Sequence, residues 1–114
     1  MANTFKLITK AGVTGADIIY TPNSVTTIIL GLILGNTTTS QVTATVSLAS
    51  TTSSRAGDNN ENNQTVELIT NTPIPAGSSL ELLAGNKVVM ENNDALSVSA
   101  TGSTDVALSI MEIS

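Results

Sequence analysis

The sequence lacks the residues that most often carry chemistry in proteins. It contains no cysteine, so no disulfide can cross-link the fold and nothing indicates the redox compartment. It contains no histidine either, which removes the commonest general base and the commonest metal ligand together. These two absences favour a structural or binding protein over an enzyme. We therefore predict no catalytic residue, no cofactor-binding residue and no metal site.

Charge is also scarce. Charged residues make up 11% of the chain, and its net charge is −5. The four cations are spread along the sequence, at Lys6, Lys10, Arg55 and Lys87. Proteins that bind a phosphate backbone cluster their lysines and arginines on one surface. We therefore predict no nucleic-acid partner.

Long apolar runs are missing as well. The most apolar run, residues 28–34, is far shorter than the roughly 20 apolar residues that a membrane helix requires. Residues 1–6 show neither the basic region nor the apolar region of a secretory signal. The sequence therefore predicts a protein that is made in a cytoplasm and has no membrane partner.

The residues that are present favour strands. Hydrophobic residues form 40% of the 114-residue chain, yet only Phe5 and Tyr20 are aromatic. This length suits a single domain, residues 1–114, with one core built from valine, isoleucine, leucine and alanine. Threonine, valine and isoleucine are β-branched, and β-branched residues favour strands over helices.

Short strand patterns follow one another with a turn roughly every ten residues, as in sandwiches and small barrels. Glycine, threonine or proline interrupts each window that could form a helix. We predict an all-β fold, namely an antiparallel β-sandwich with jelly-roll-like topology, about eight strands and no significant helix. An irregular barrel is the alternative. The predicted strands cover residues 4–10, 17–21, 25–35, 41–50, 65–70, 80–83, 87–90, 95–100 and 105–113.

The strand at residues 25–35 is the most apolar part of the chain. Such a continuous run indicates burial on both faces, and on a free edge it would promote aggregation. We therefore expect it to be central in the sheet or covered by a neighbouring subunit. This expectation predicts a homo-oligomer, with a trimer favoured. Residues 41–50 instead alternate, which predicts one buried face and one polar face.

The segment of residues 73–100 predicts three short strands joined by tight turns. Pro73 and Pro75 withhold amide donors and suit a sheet edge. A glycine and an asparagine at residues 85–86 are typical of a hairpin turn. Residues 91–94 predict a second turn whose charges are solvated. The inward positions are expected to be Leu80, Leu82, Val88, Leu96 and Val98.

The loop at residues 51–63 is the first candidate site. Asp58, Asn60 and Asn62 resemble the start of a calcium loop, but Asn63 replaces the required glycine and Ile69 the required glutamate. We therefore expect a mobile, solvated loop without a metal.

Other candidate groups are equally incomplete. Glu91 and Asp94 could pair for acid–base chemistry, but no histidine or aromatic platform accompanies them. The serine pairs at residues 53–54 and 78–79 lack a base that could activate them. Sugar binding generally uses aromatic stacking, for which only Phe5 and Tyr20 are available.

The chain resembles a family of small virion structural proteins of tailed bacteriophages, cyanophages among them. The resemblance lies in residues 74–83 (IPAGSSLELL), 85–91 (GNKVVME) and 94–98 (DALSV). Residues 19–23 (IYTPN), 27–32 (TIILGL) and 42–46 (VTATV) are similar too.

This resemblance implies a virion protein made in a bacterial host, most simply a capsid decoration or cement protein that assembles as a homo-oligomer on the shell. It implies the major capsid protein or another virion protein as the partner. A neck, tail or fibre component is the first alternative. A module that binds a glycan or protein of the host surface is the second.

Overall fold

The computed structural model describes residues 2–51, 63–83 and 87–114. These residues form seven antiparallel strands and contain no helix, so the predicted all-β class is confirmed. Residues 52–62 of the predicted loop, which include Asp58, Asn60, Asn62 and the serine pair at residues 53–54, lie outside the described residues, as does the hairpin turn at residues 85–86. The strands are β1 (Asn3–Tyr20), β2 (Thr26–Asn36), β3 (Val42–Ala49), β4 (Thr65–Ile74), β5 (Ser79–Leu82), β6 (Val88–Met90) and β7 (Ala95–Ile113).

Two of these strands are longer than the sequence predicts because glycines bend them instead of ending them. In β1, Gly12 and Gly15 have φ of +67° and +66°, a region that costs little only for glycine. In β7, the chain passes so close to Val42 of β3 at residue 102 that only glycine fits, because a Cβ at Gly102 would lie 2.7 Å from Cγ1 of Val42. The predicted connections at residues 11–16 and 101–104 are therefore bends inside continuous strands.

The bends divide one curled sheet into two halves. Strand β7 is central and pairs with β1 along almost its whole length. Its other side pairs with β2 over residues 104–113 and with β3 over residues 95–100. We call the half with β2, β5 and β6 the front half-sheet and the half with β3 and β4 the back half-sheet, as the order β4-β3-β7-β2-β5 shows.

The inner faces of the two halves pack on one core, which gives the predicted sandwich. As predicted, Leu96 and Val98 are fully buried, and Leu80, Leu82 and Val88 pack against the core from the edge. Burying one such side chain contributes about 1.5–3 kcal/mol. The largest other buried residues are Ile29, Leu32, Leu34, Val46, Ile74, Met90, Leu108 and Ile110.

The apolar strand β2 is central in the front half-sheet, as expected, between β7 on one side and β5 and β6 on the other. Ile29, Leu32 and Leu34 point into the core, whereas Ile33 is exposed. A shift in register after Ile29 accommodates Leu30 as an extra residue. The predicted burial of β2 on both faces is therefore wrong for the single chain, because one face is buried and the other is partly open to solvent.

The turn at residues 91–94 corrects the expectation that its charges are solvated. Asp94 is 4% exposed. One of its carboxylate oxygens accepts hydrogen bonds from the backbone N–H of Thr51 (2.8 Å) and from its hydroxyl (3.3 Å), and the other accepts from the N–H of Glu91 (2.9 Å). Side chains that satisfy nearby backbone donors favour such turns. Asp94 therefore holds two chain segments together.

Candidate interaction surface

The solvent-facing side of the front half-sheet carries several large apolar side chains, with Glu81 opposite Ile33 and Asp105 opposite Gly35 toward one end. Because Leu108 and Ile110 point inward, the residues between and beside them on β7 point outward. The register aligns Phe5, Met111, Ile28 and Val89 in one row across four strands. We call this side the front face.

Several large side chains of the front face are open to solvent. Phe5 is 71% exposed, Leu7 65%, Val89 56% and Ile33 44%. Single exposed hydrophobic residues are normal on proteins, but contiguous apolar patches mark interaction sites.

Small residues form shallow grooves between these side chains. Gly31 lies opposite Ser109, which lies opposite Leu7 on β1. A Cβ at Gly31 would meet no atom within 4 Å, so the space above it is open. The groove there measures about 240 Å³, and its walls include Leu7, Leu30 and Ile33. The front face can therefore receive side chains from another surface.

The solvent-facing side of the back half-sheet, the back face, has a polar centre. Serine and threonine occupy its outward positions on the two central strands, with Thr45 opposite Ser99 and Ser47 opposite Ser97. Its large exposed hydrophobic residue, Ile18, lies on the edge strand β1 opposite Ser97, whereas the exposed Val66 of β4 lies on the inner side, opposite Leu48. The predicted alternation of residues 41–50 is confirmed, since Val42, Ala44 and Val46 are buried.

Among the described residues, no strand pairs with the outer edge of β1, beside the front face. Ala2 and Ser114 exchange two backbone hydrogen bonds, 3.3 and 3.1 Å long. Pairing then alternates along an antiparallel ladder, so the N–H and C=O groups of every second residue point away from β7. The residues whose backbone groups point to the free edge are Asn3, Phe5, Leu7 and Thr9.

A polar cluster joins the two half-sheets at one end of the core. The hydroxyl of Tyr20 donates to Oε2 of Glu112 at 2.6 Å and lies 2.7 Å from Oγ1 of Thr27. Lys6 Nζ lies 2.8 Å from Oε1 of Glu112.

This cluster shifts two pKa values in opposite directions. Hydrogen bonds from Lys6 and then Tyr20 lower the pKa of Glu112. Desolvation, together with the hydrogen bond to Glu112, raises the pKa of Tyr20 to about 12. The cluster therefore stabilises ionised Glu112 and neutral Tyr20 in the folded protein.

The candidate groups from the sequence do not assemble into a reactive site in the described part of the chain. Glu91 is exposed and accepts a hydrogen bond from Thr26 at 3.2 Å, while Asp94 is used by the fold. Ser78 and Ser79 are exposed beside the turn that precedes β5. Within the described ranges, no three residues among aspartate, glutamate, histidine and cysteine are grouped so as to hold a metal.

Sequence reasoning missed the features that distinguish the two faces. Phe5 and Leu7 do alternate with Lys6 and Ile8, which predicts a strand but not which face is covered. The pair Tyr20 and Glu112 is separated by 92 residues, so no local pattern could reveal it.

No helix among the described residues is long and apolar enough to span a bilayer.

Comparisons with protein-family models and with curated proteins give no match. Among solved structures, the fold is similar to a chain of the Bacillus endospore appendages, which form disulfide-linked pili. That chain is 18% identical with a TM-score of 0.47, over 96% of this chain and 85% of that one.

Two chains of infectious bursal disease virus are similar as well, one from its T13 particle and one from its Gx strain. Both are 12% identical over 96% of this chain, with TM-scores of 0.39 and 0.32. This chain spans 35% and 36% of their lengths, about a third. None of these likenesses is close enough to indicate a function for this chain.

Proposed function

We propose that this chain is a structural protein of a bacteriophage virion that assembles with copies of itself, as a capsid decoration protein on the shell. The observation that carries the proposal is the front face, where Phe5, Leu7, Ile33 and Val89 are exposed on one side of the sheet. A soluble monomer gains nothing from such a face, whereas a subunit of an assembly buries it against its neighbour.

Two further observations support a structural role over catalysis. The carboxylates of Asp94 and Glu112 are occupied by hydrogen bonds that hold turns and strands together. The sequence resembles small virion proteins of tailed phages in the strand and turn residues that build the fold. The proposal therefore includes no enzymatic activity and no cofactor.

Sedimentation of the purified full chain tests self-association. We expect a species larger than the 11.6 kDa monomer at micromolar concentration, and three copies is the predicted number. A monomer at every concentration, both in solution and in the presence of phage particles, would contradict the proposal.

Quantitative mass spectrometry of virions whose genome encodes the chain tests the place in the particle. A copy number close to that of the major capsid protein supports a decoration role. A copy number as low as that of the neck or tail proteins favours the first alternative, a neck, tail or fibre component. Absence from the virion would contradict a virion role altogether.

A further inference from the structure

The free edge of β1 combines two properties that a pairing strand requires. The backbone groups of Asn3, Phe5, Leu7 and Thr9 point away from β7, and the ladder through residues 3–10 has no irregularity. The side chains of Phe5 and Leu7 lie on the front face at this same edge. A strand added here would therefore gain backbone hydrogen bonds and also contact the exposed side chains of Phe5 and Leu7 from the side.

The other described edges of the sheet are protected against pairing. Strand β4 loses register with β3 at two points, carries Asn71 at φ +47°, and contains Pro73, which has no N–H. Strands β5 and β6 are four and three residues long. Among the edges that the structure describes, residues 3–10 of β1 offer the longest regular run.

We infer that copies of this chain associate by pairing β1 with β1 of a second copy, antiparallel across a two-fold axis. The inference rests on the self-association proposed above. A second copy is the occupant because its own β1 presents the same regular run, and two-fold contacts use the same surface on both chains. Strands β4, β5 and β6 of a second copy are too irregular or too short to pair with residues 3–10 of β1 over their whole length.

The positions of the free backbone groups restrict the register. If the two-fold axis passes through Leu7, Leu7 faces Leu7 of the second copy. Residues 4–10 of the two chains then pair along the whole regular run. Phe5 then faces Thr9 of the second copy, and Lys6 faces Ile8. An axis between Phe5 and Leu7 would place Lys6 opposite Lys6, which is unfavourable for like charges.

A two-fold contact also changes the expected number of copies. It gives two copies, or six where the front faces additionally hold three copies together. Sedimentation of the wild-type chain distinguishes these numbers from the three copies predicted from the sequence.

A proline at Thr9 tests the backbone pairing. The N–H of Thr9 points to the free edge, so Thr9→Pro removes no hydrogen bond to β7 but removes two between the copies. We expect Thr9→Pro to raise the dissociation constant about tenfold or more, whereas Thr9→Ala, the matched control, associates as the wild type does. Matching circular dichroism spectra of the two variants, taken at a concentration where both are monomeric, show that the fold is intact.

Cysteine cross-linking tests the register. Because the chain contains no cysteine, no native thiol can form a competing disulfide. Opposite Cα atoms in a hydrogen-bonded antiparallel pair lie about 5.5 Å apart, within the disulfide range of about 4.4–6.8 Å. We expect Leu7→Cys to form a covalent dimer on mild oxidation. Thr9→Cys should not, because its two copies would lie about 14 Å apart along the strands.

The outcomes separate this inference from the proposed function. The β1 contact is overturned if Thr9→Pro associates as strongly as the wild type and Leu7→Cys forms no covalent dimer. Self-association itself would then still stand. A disulfide through Phe5→Cys instead of Leu7→Cys overturns the register. A wild type that stays monomeric in solution and with particles overturns both.

Discussion

The two faces of this sandwich differ although the same central strand runs through both. On the front face, β7 places Ser109 among Leu7, Leu30 and Ile33. On the back face, it places Ser99 opposite Thr45. The interior is shared, because one core cluster contains residues of both halves. The comparison indicates that the fold is stabilised by the interior, and that the front face is available for another chain.

The largest expected effect comes from the shared interior. Leu108 and Leu96 are both fully buried, one in each half-sheet. Truncation of either to alanine should lower the free energy of unfolding by about 2–5 kcal/mol, because it leaves a cavity in the core. Denaturant unfolding of both variants measures this cost. A large cost for one and a negligible cost for the other would show that the two halves do not share one core.

The second effect concerns Asp94, whose carboxylate holds the turn at residues 91–94 to Thr51. Asp94→Ala removes the part-buried hydrogen bonds to the N–H groups of Thr51 and Glu91 and should cost about 1–3 kcal/mol in unfolding free energy. Glu91→Ala is the matched control, since Glu91 is exposed, and it should cost about 0.5 kcal/mol or less. Equal melting temperatures for the two variants would instead support the prediction from the sequence that the charges of this turn are solvated.

The third prediction separates the two faces directly. Ser109→Lys and Ser99→Lys place the same charge on the same strand, one on the front face and one on the back face. Both should change the unfolding free energy by about 0.5 kcal/mol or less. We expect Ser109→Lys to remove the contacts that bury the front face, so that no species larger than the β1-paired dimer remains, and Ser99→Lys to leave association unchanged, as measured by sedimentation. Loss of association in Ser99→Lys alone would make the back face the contact surface.

The smallest expected effect is a pH dependence from Glu112. Its pKa is lower in the folded chain than in the unfolded chain, so ionised Glu112 stabilises the fold above the ordinary glutamate pKa of about 4.3. This contribution is lost as the pH falls through the lowered pKa. Partly exposed ion pairs contribute about 0.2–1 kcal/mol.

Thermal melts of the wild type and Glu112→Gln at several pH values measure this contribution. The difference in melting temperature should be largest near neutral pH and should shrink below the ordinary glutamate pKa. A difference that does not vary with pH would exclude the charge of Glu112 as its cause.

The sequence predicts the interior of this protein better than its exterior. Alternation identifies Val42, Ala44, Val46, Leu96 and Val98 as buried because a strand has a period of two. It does not reveal that residues 11–16 and 101–104 bend strands instead of ending them, since glycine is typical of both. Local patterns also miss the bonds of Asp94 and Tyr20, whose partners are 43 and 92 residues away.

The central position of β7 has a consequence for how the chain reaches its fold. Among the described strands, β1 pairs with β7 alone, and β2 and β3 each pair with β7 on one side. Until residues 95–113 leave the ribosome, β1 has no ladder to join and the two halves remain separate hairpins. Closure then requires pairing between residues about 100 positions apart, which makes folding slow compared with helical proteins of similar size. During that interval the side of β2 that later pairs with β7 is unprotected, and chaperone binding during synthesis would be concentrated there.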